Sequence, residues 1–167
     1  MSYTTILAIY PGEKIEEVLE LNNAWGSAPF IWNAMAEKYL GKGAFSAGNE
    51  LWALWKNPNI PLAYRKVHLM TFDRAYILKG DFLKAAEDIQ IFLKDFGVNS
   101  DQVNHWGVIA DLLETNPNYP AIGFHMTSVS ENPFHGDWND ETEEYEQPNW
   151  SKCYSVYCSM KELESQS

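Results

Sequence analysis

Tyr3-Thr4-Thr5-Ile6-Leu7-Ala8-Ile9-Tyr10 is a run of β-branched, aromatic and aliphatic residues that suits a pleated, half-buried surface, and Pro11-Gly12 closes it with a turn. It reads as a strand, and a strand needs neighbours to take its backbone N–H and C=O groups. Two matching stretches with a period of two lie at the far end of the chain. After Pro120, Ile122, Phe124 and Met126 alternate with Gly123, His125 and Thr127; near the C-terminus Tyr154, Val156 and Cys158 repeat the pattern. Pairing the first strand with these two late ones predicts a small, mainly antiparallel sheet. Because that pairing spans most of the chain, it also predicts one domain over residues 1–167.

Between the strands the period is helical. Ile15, Val18, Leu21 and Trp25 follow the early glutamates Glu13, Glu16 and Glu17, which favour a helix N-terminus. Ser27 can cap a second helix, with Pro29 in its first turn and Gly41 as its stop. A shorter helical signal covers Glu50 to Lys56, and a long one runs from Leu62 to Leu78. The clearest amphipathic helix runs from Phe82 to Phe96, with Gly80-Asp81 before it and Gly97 after it. Ser100 can cap a last one carrying Val103, Trp106, Ala110 and Leu113. The expected fold is α+β and helix-rich, with a helical body over about 13–116 layered on the sheet.

The chain has 167 residues, 46% of them hydrophobic and 14% aromatic, enough apolar surface to exclude the disordered classes. Twelve basic against 23 acidic residues leave a net charge of −11, which disfavours direct binding to nucleic acid or an anionic membrane surface. The first ten residues lack a basic n-region and a cleavage site, and no apolar run approaches the length of a membrane span, so a cytoplasmic location is expected. Cys153 and Cys158, placed five apart in a predicted strand, stand too far from each other for a disulfide.

The acidity is local. Residues 131–146 hold seven carboxylates (Glu131, Asp137, Asp140, Glu141, Glu143, Glu144 and Glu146) and no lysine or arginine. Phe134, Trp138, Tyr145 and Trp150 are interleaved with or adjoin them, although acidic spacers are ordinarily poor in aromatics. Two readings of this acidic aromatic loop, 131–150, stand side by side. In one it is a solvated connection whose rings tuck back onto the core. In the other Phe134, Trp138, Tyr145 and Trp150 anchor a basic partner that Asp140, Glu141, Glu143 and Glu144 steer.

Other chemistry is thinly represented. His125, His135 and Asp137 could offer imidazole and carboxylate to zinc or a harder ion, but their spacing matches no metal signature. No nucleophile elbow or phosphate loop occurs, and no catalytic residue or cofactor is assigned. His68 and His105 read as ordinary helix residues with satisfied hydrogen bonds. Trp25, Trp32, Trp52, Trp55 and Trp106 read most simply as core, with an aromatic cleft for a flat or sugar-like ligand beside Asn22, Asn23, Asn33 and Asn49 as the alternative. The sequence therefore favours a non-enzymatic, intracellular protein-binding module, of an inhibitor or immunity type, that blocks a basic protein. A small metal-dependent hydrolase and an assembly subunit are the alternatives.

Overall fold

Pro11-Gly12 turns the chain as expected, but it turns it into a second strand rather than a helix. β1 (Tyr3–Tyr10) and β2 (Lys14–Asn22) form an antiparallel hairpin in the computed structural model, which describes residues 2–97, 104–128, 131–146 and 152–166. The three-residue apolar spacing of Ile15, Val18 and Leu21 has a different origin. The register slips between Ile6 and Leu7 and leaves Val18 as the extra residue of a β-bulge. Direct partners across a ladder share a face, so Leu19 and Leu21, opposite Ile6 and Thr4, lie on the helix side. Glu17 and Ile15, opposite Leu7 and Ile9, lie on the other. A bulged strand thus imitates a helical period.

The chain then crosses to the helix side through α1 (Ala28–Leu40), α2 (Ala44–Ala47), α3 (Asn49–Ala53) and α4 (Leu62–Met70). α1 starts after Ser27 and ends at Gly41, whose φ of 66° is the left-handed stop the sequence predicts. The expected long helix to Leu78 ends early instead. Arg74 adopts φ 69°, and Ala75–Leu78 becomes β3. After β3 come α5 (Phe82–Phe96) and α6 (Trp106–Glu114). Ser100 and Val103 lie outside the described residues. The first amide of α6, at Trp106, is taken instead by Asn104 Oδ1 at 2.9 Å.

β4 (Ala121–His125) forms where the alternation places it. Two-residue strands β5 (Trp138–Asn139) and β6 (Glu144–Tyr145) make a separate small hairpin. β7 is Tyr154–Ser155 alone, because Ser155 Oγ accepts from the Cys158 amide and caps α7 (Val156–Ser165). Cys153 and Cys158 are therefore not two positions of one strand, although both are free thiols.

The sheet order is β2-β1-β4-β3-β7, antiparallel except for the parallel pair β3–β7. Among the described residues it holds five strands rather than three, and the helical body interrupts itself at β3 and begins after β2. The α+β class stands. No helix among the described residues is long and apolar enough to cross a membrane.

The two faces of the sheet carry cores of unequal size. Ile6, Ile77, Ile122 and Phe124 pack against the helical layer, around Phe82, Phe92, Met35 and the fully buried Trp106. On the opposite face Leu7, Ile9 and Ala121 form a small second core whose fourth member is Phe134. Not all tryptophans are core. Trp25 lies in a 3-10 turn, is 59% exposed and packs edge-on against Phe45, and Trp52 is 42% exposed.

His68 departs from expectation in another way. It is fully buried in α4, and neither ring nitrogen has a hydrogen-bond partner among the described residues. Its ring meets Phe72 edge-on at 5.1 Å. Burial pushes its pKa down to about 4. The unfolded chain takes up this proton near pH 6.5 while the folded chain refuses it until about 4, so the stability present above 6.5 is lost as the pH falls. Between about pH 7.5 and about pH 5 this amounts to about 2 kcal/mol. Urea midpoints for wild type and His68→Leu should diverge by that amount on acidification; parallel losses in both would show that His68 does not titrate in this way.

Candidate functional site

The acidic segment lies over the face of the sheet against which, among the described residues, no α-helix packs, and Phe134 is buried there. Asn132 starts a tight turn: its Oδ1 accepts from the Phe134 amide at 2.9 Å and its carbonyl from the His135 amide at 3.1 Å. The turn drives the Phe134 ring onto the sheet, where it is 1% exposed. Gly123 makes room for it. A Cβ at Gly123 would stand 2.8 Å from Phe134 Cζ and closer still to Ile9 Cδ1.

From Gly136 the segment closes on itself. The Gly136 amide donates to the Glu146 carbonyl at 2.7 Å, and the Glu146 amide donates to the Asp137 carbonyl at 2.8 Å. Asn139 organises the tip: its side-chain oxygen accepts from the Glu141 and Thr142 amides, and its carbonyl accepts from Glu143, whose φ is 55°. On this hairpin the rings of Trp138 and Tyr145 meet edge-on at 5.0 Å, and His135 stacks on Tyr145 at 4.5 Å. Trp138 remains 52% and Tyr145 55% exposed. Packed on one another, they present their open faces to solvent.

A cleft of about 1510 Å³ lies between this arch and the sheet. Its floor comes from β1 and β2 through Thr5, Leu7 and Glu17, and its wall from the arch through His135, Trp138 and Tyr145. Five carboxylates line it (Glu17, Asp73, Glu131, Asp137 and Glu146) against two cations, Arg74 and Lys152. Burial, followed by the nearby His125, lowers the pKa of His135 from its ordinary value.

The site residues expected from sequence separate into groups. Trp138 and Tyr145 line the cleft. Phe134 is core, because the small sheet face needs an apolar cover. Asp140, Glu141, Glu143 and Glu144 sit at the exposed hairpin tip, outside the cleft. Trp150 lies outside the described residues. His125, His135 and Asp137 all border the cleft, but no group of three His, Cys, Asp or Glu side chains among the described residues is placed to hold a metal ion, so the hydrolase reading finds no ligand set there. Glu17, Asp73, Arg74 and Lys152 reach the cleft from distant parts of the chain, and only the folded sheet brings them together.

A second hollow of about 810 Å³ lies beside Trp25, bordered by Asn23, Asn33, Lys38 and Phe96. The amide oxygens of Asn23 and Asn33 are already engaged by the Trp25 and Ala44 amides. His105 Nε2 lies 2.8 Å from the Asn23 carbonyl, so this histidine is satisfied as expected, although it precedes α6 rather than lying within it.

Fold and site together define a mixed-sheet α+β protein with an acidic, aromatic cleft on its helix-free face. Comparison of the chain with known protein families, with curated proteins and with solved structures finds no match.

Proposed function

We propose that the chain is a protein-binding module whose cleft receives a basic segment of a partner protein. The observation that carries this reading is the pair of exposed rings, Trp138 and Tyr145, fixed at the mouth of a cleft lined by five carboxylates. Aromatic rings held in place contribute area at small entropic cost, and carboxylates around them raise the association rate of a cationic partner. The reading extends to an inhibitor or immunity-type protein. Lysines and arginines that a nucleic-acid-binding partner uses against phosphate would be covered by the carboxylates of the cleft.

Replacing Trp138 and Tyr145 together by alanine tests it. Calorimetric titration with a blocked lysine-rich peptide should show binding that weakens with salt in the wild type and is at least about tenfold weaker in the double variant. The thermal midpoint should move by no more than a few degrees, because both rings are largely exposed. Equal affinity in the two proteins would refute the cleft reading. A large loss of stability would make the rings part of the core and refute it equally.

A further inference from the structure

β2 is the long edge of the sheet. It pairs only with β1, and among the described residues no strand lies beyond it. Its nine residues give an edge of roughly 30 Å at about 3.3 Å per residue. The Asn23 amide donates to the Ser2 carbonyl, and the alternation of an antiparallel ladder then directs the main-chain groups of Leu21 inward and those of Glu20 and Asn22 outward. An edge of this length is a template for another strand unless something blunts it.

What guards this edge is charge of one sign. Glu16, Glu17 and Glu20 lie along β2, and Glu13 stands in the turn before it. The single lysine, Lys14, is paired with Glu16 at 2.7 Å. A second copy of the chain laid along β2 would bring the same carboxylates against these, and like charges facing each other across a ladder are destabilising. A cationic strand meets the opposite situation. The same charges that exclude self-pairing select it.

The edge is also continuous with the cleft. The bulge at Val18 turns Ile15 and Glu17 onto the helix-free face, where both line the floor. Side chains of an added strand that fall beside Ile15 and Glu17 would therefore point into the cleft, towards the arch. We propose that the outer edge of β2 accepts an extended, cationic segment of a partner protein as a sixth strand, with alternate side chains turned into the cleft. The proposal rests on the cleft reading above and supplies its binding mode: main-chain hydrogen bonds at the edge, with side-chain selection by Glu17 and the arch.

The test uses two blocked peptides of alternating lysine and threonine, each about ten residues long to match β2, one unmodified and one methylated at every backbone nitrogen. Both carry the same charge, and only the first can donate to the edge. The unmodified peptide should bind at least about tenfold more tightly by calorimetry. It should also slow hydrogen exchange of the Glu20 and Asn22 amides. Equal binding of the two peptides, with those amides unprotected, would overturn strand addition even where the double alanine variant at Trp138 and Tyr145 still weakens binding. Protection of the β2 amides with no effect of that variant would support strand addition and refute the aromatic cleft instead. Glu20→Pro removes one outward N–H where an edge tolerates proline, and it should weaken the unmodified peptide more than Glu20→Gln does.

Discussion

Phe134→Ala is expected to remove about 3–5 kcal/mol from the free energy of unfolding, the usual cost of deleting a buried phenylalanine. The ring is 1% exposed and supplies the cover of a core whose other buried members are Leu7, Ile9 and Ala121. With so few neighbours, the site has little capacity to collapse around the missing ring. The loss should also have a local signature. Phe134 is the arch's buried contact with the sheet, while the main-chain bonds from Gly136 to Glu146 and from Glu146 to Asp137 are internal to the arch. Deleting the ring should therefore raise the exchange rates of the Gly136 and Glu146 amides more than those of β1 and β4. Phe134→Leu keeps most of the apolar volume and should cost clearly less. Urea denaturation and amide exchange check both statements. A loss below about 1 kcal/mol would show that the arch is seated by something other than Phe134.

That result bears on how far the sequence discloses the site. The concentration of carboxylates and rings in 131–146 is visible without any structure. What the rings do is not, because the same interleaving serves a buried anchor and an exposed contact. Phe134 is the anchor, whereas Trp138 and Tyr145 are exposed. One local signal does separate them. Gly123 sits inside a strand, and a glycine there marks the close approach of other groups, which prove to be the Ile9 side chain and the Phe134 ring. The other half of the cleft has no local signal. Glu17, Asp73 and Lys152 become neighbours only through sheet order.

The fold was legible where punctuation and period agree. α1 ends at Gly41 and α5 fills the interval between Asp81 and Gly97, as their glycines and apolar stripes predict. It was illegible where a local device changes the period. The bulge at Val18 makes a strand look helical, and Arg74 in a left-handed conformation turns the chain into β3 without the glycine such a turn ordinarily carries. At the C-terminus, Tyr154, Val156 and Cys158 alternate for too few residues to distinguish a strand from a helix start. The Ser155 cap decides in favour of α7. In each case a single side chain or backbone angle outweighs the pattern around it.

α7 is held by an ionic contact that sequence inspection does not single out. Asp88 lies in the middle of α5 with its side chain 2% exposed, and it accepts a hydrogen bond of 2.7 Å from the Tyr157 hydroxyl of α7. Lys84 Nζ stands 3.6 Å from its other oxygen. Lys66 of α4 approaches at 3.9 Å and also lies 4.9 Å from the centre of the Tyr157 ring. Burial raises the Tyr157 pKa, and the adjacent Asp88 charge raises it further, so the hydroxyl remains a donor. The carboxylate thus joins three helices.

Removing it leaves the half-satisfied remainder in place. Asp88→Ala strands the Tyr157 hydroxyl without its acceptor and the mostly buried Lys66 ammonium without its counter-ion, and breaking one side of such a pair costs about 3–5 kcal/mol. Lys84 contributes little to that figure, because its side chain is half exposed and water replaces the contact. Asp88→Asn keeps an acceptor for Tyr157 but loses the charge that faces Lys66, so its cost should fall between those of wild type and alanine. The double variant Asp88→Ala/Tyr157→Phe should be less destabilised than the sum of its parts, since neither hydroxyl nor carboxylate is then left alone. Guanidinium denaturation of the wild type, Asp88→Ala, Tyr157→Phe and the double variant measures the cycle. Strict additivity would mean that the Tyr157–Asp88 bond contributes nothing to docking α7, and the attachment of that helix would then rest on the apolar packing of Val156 and Met160.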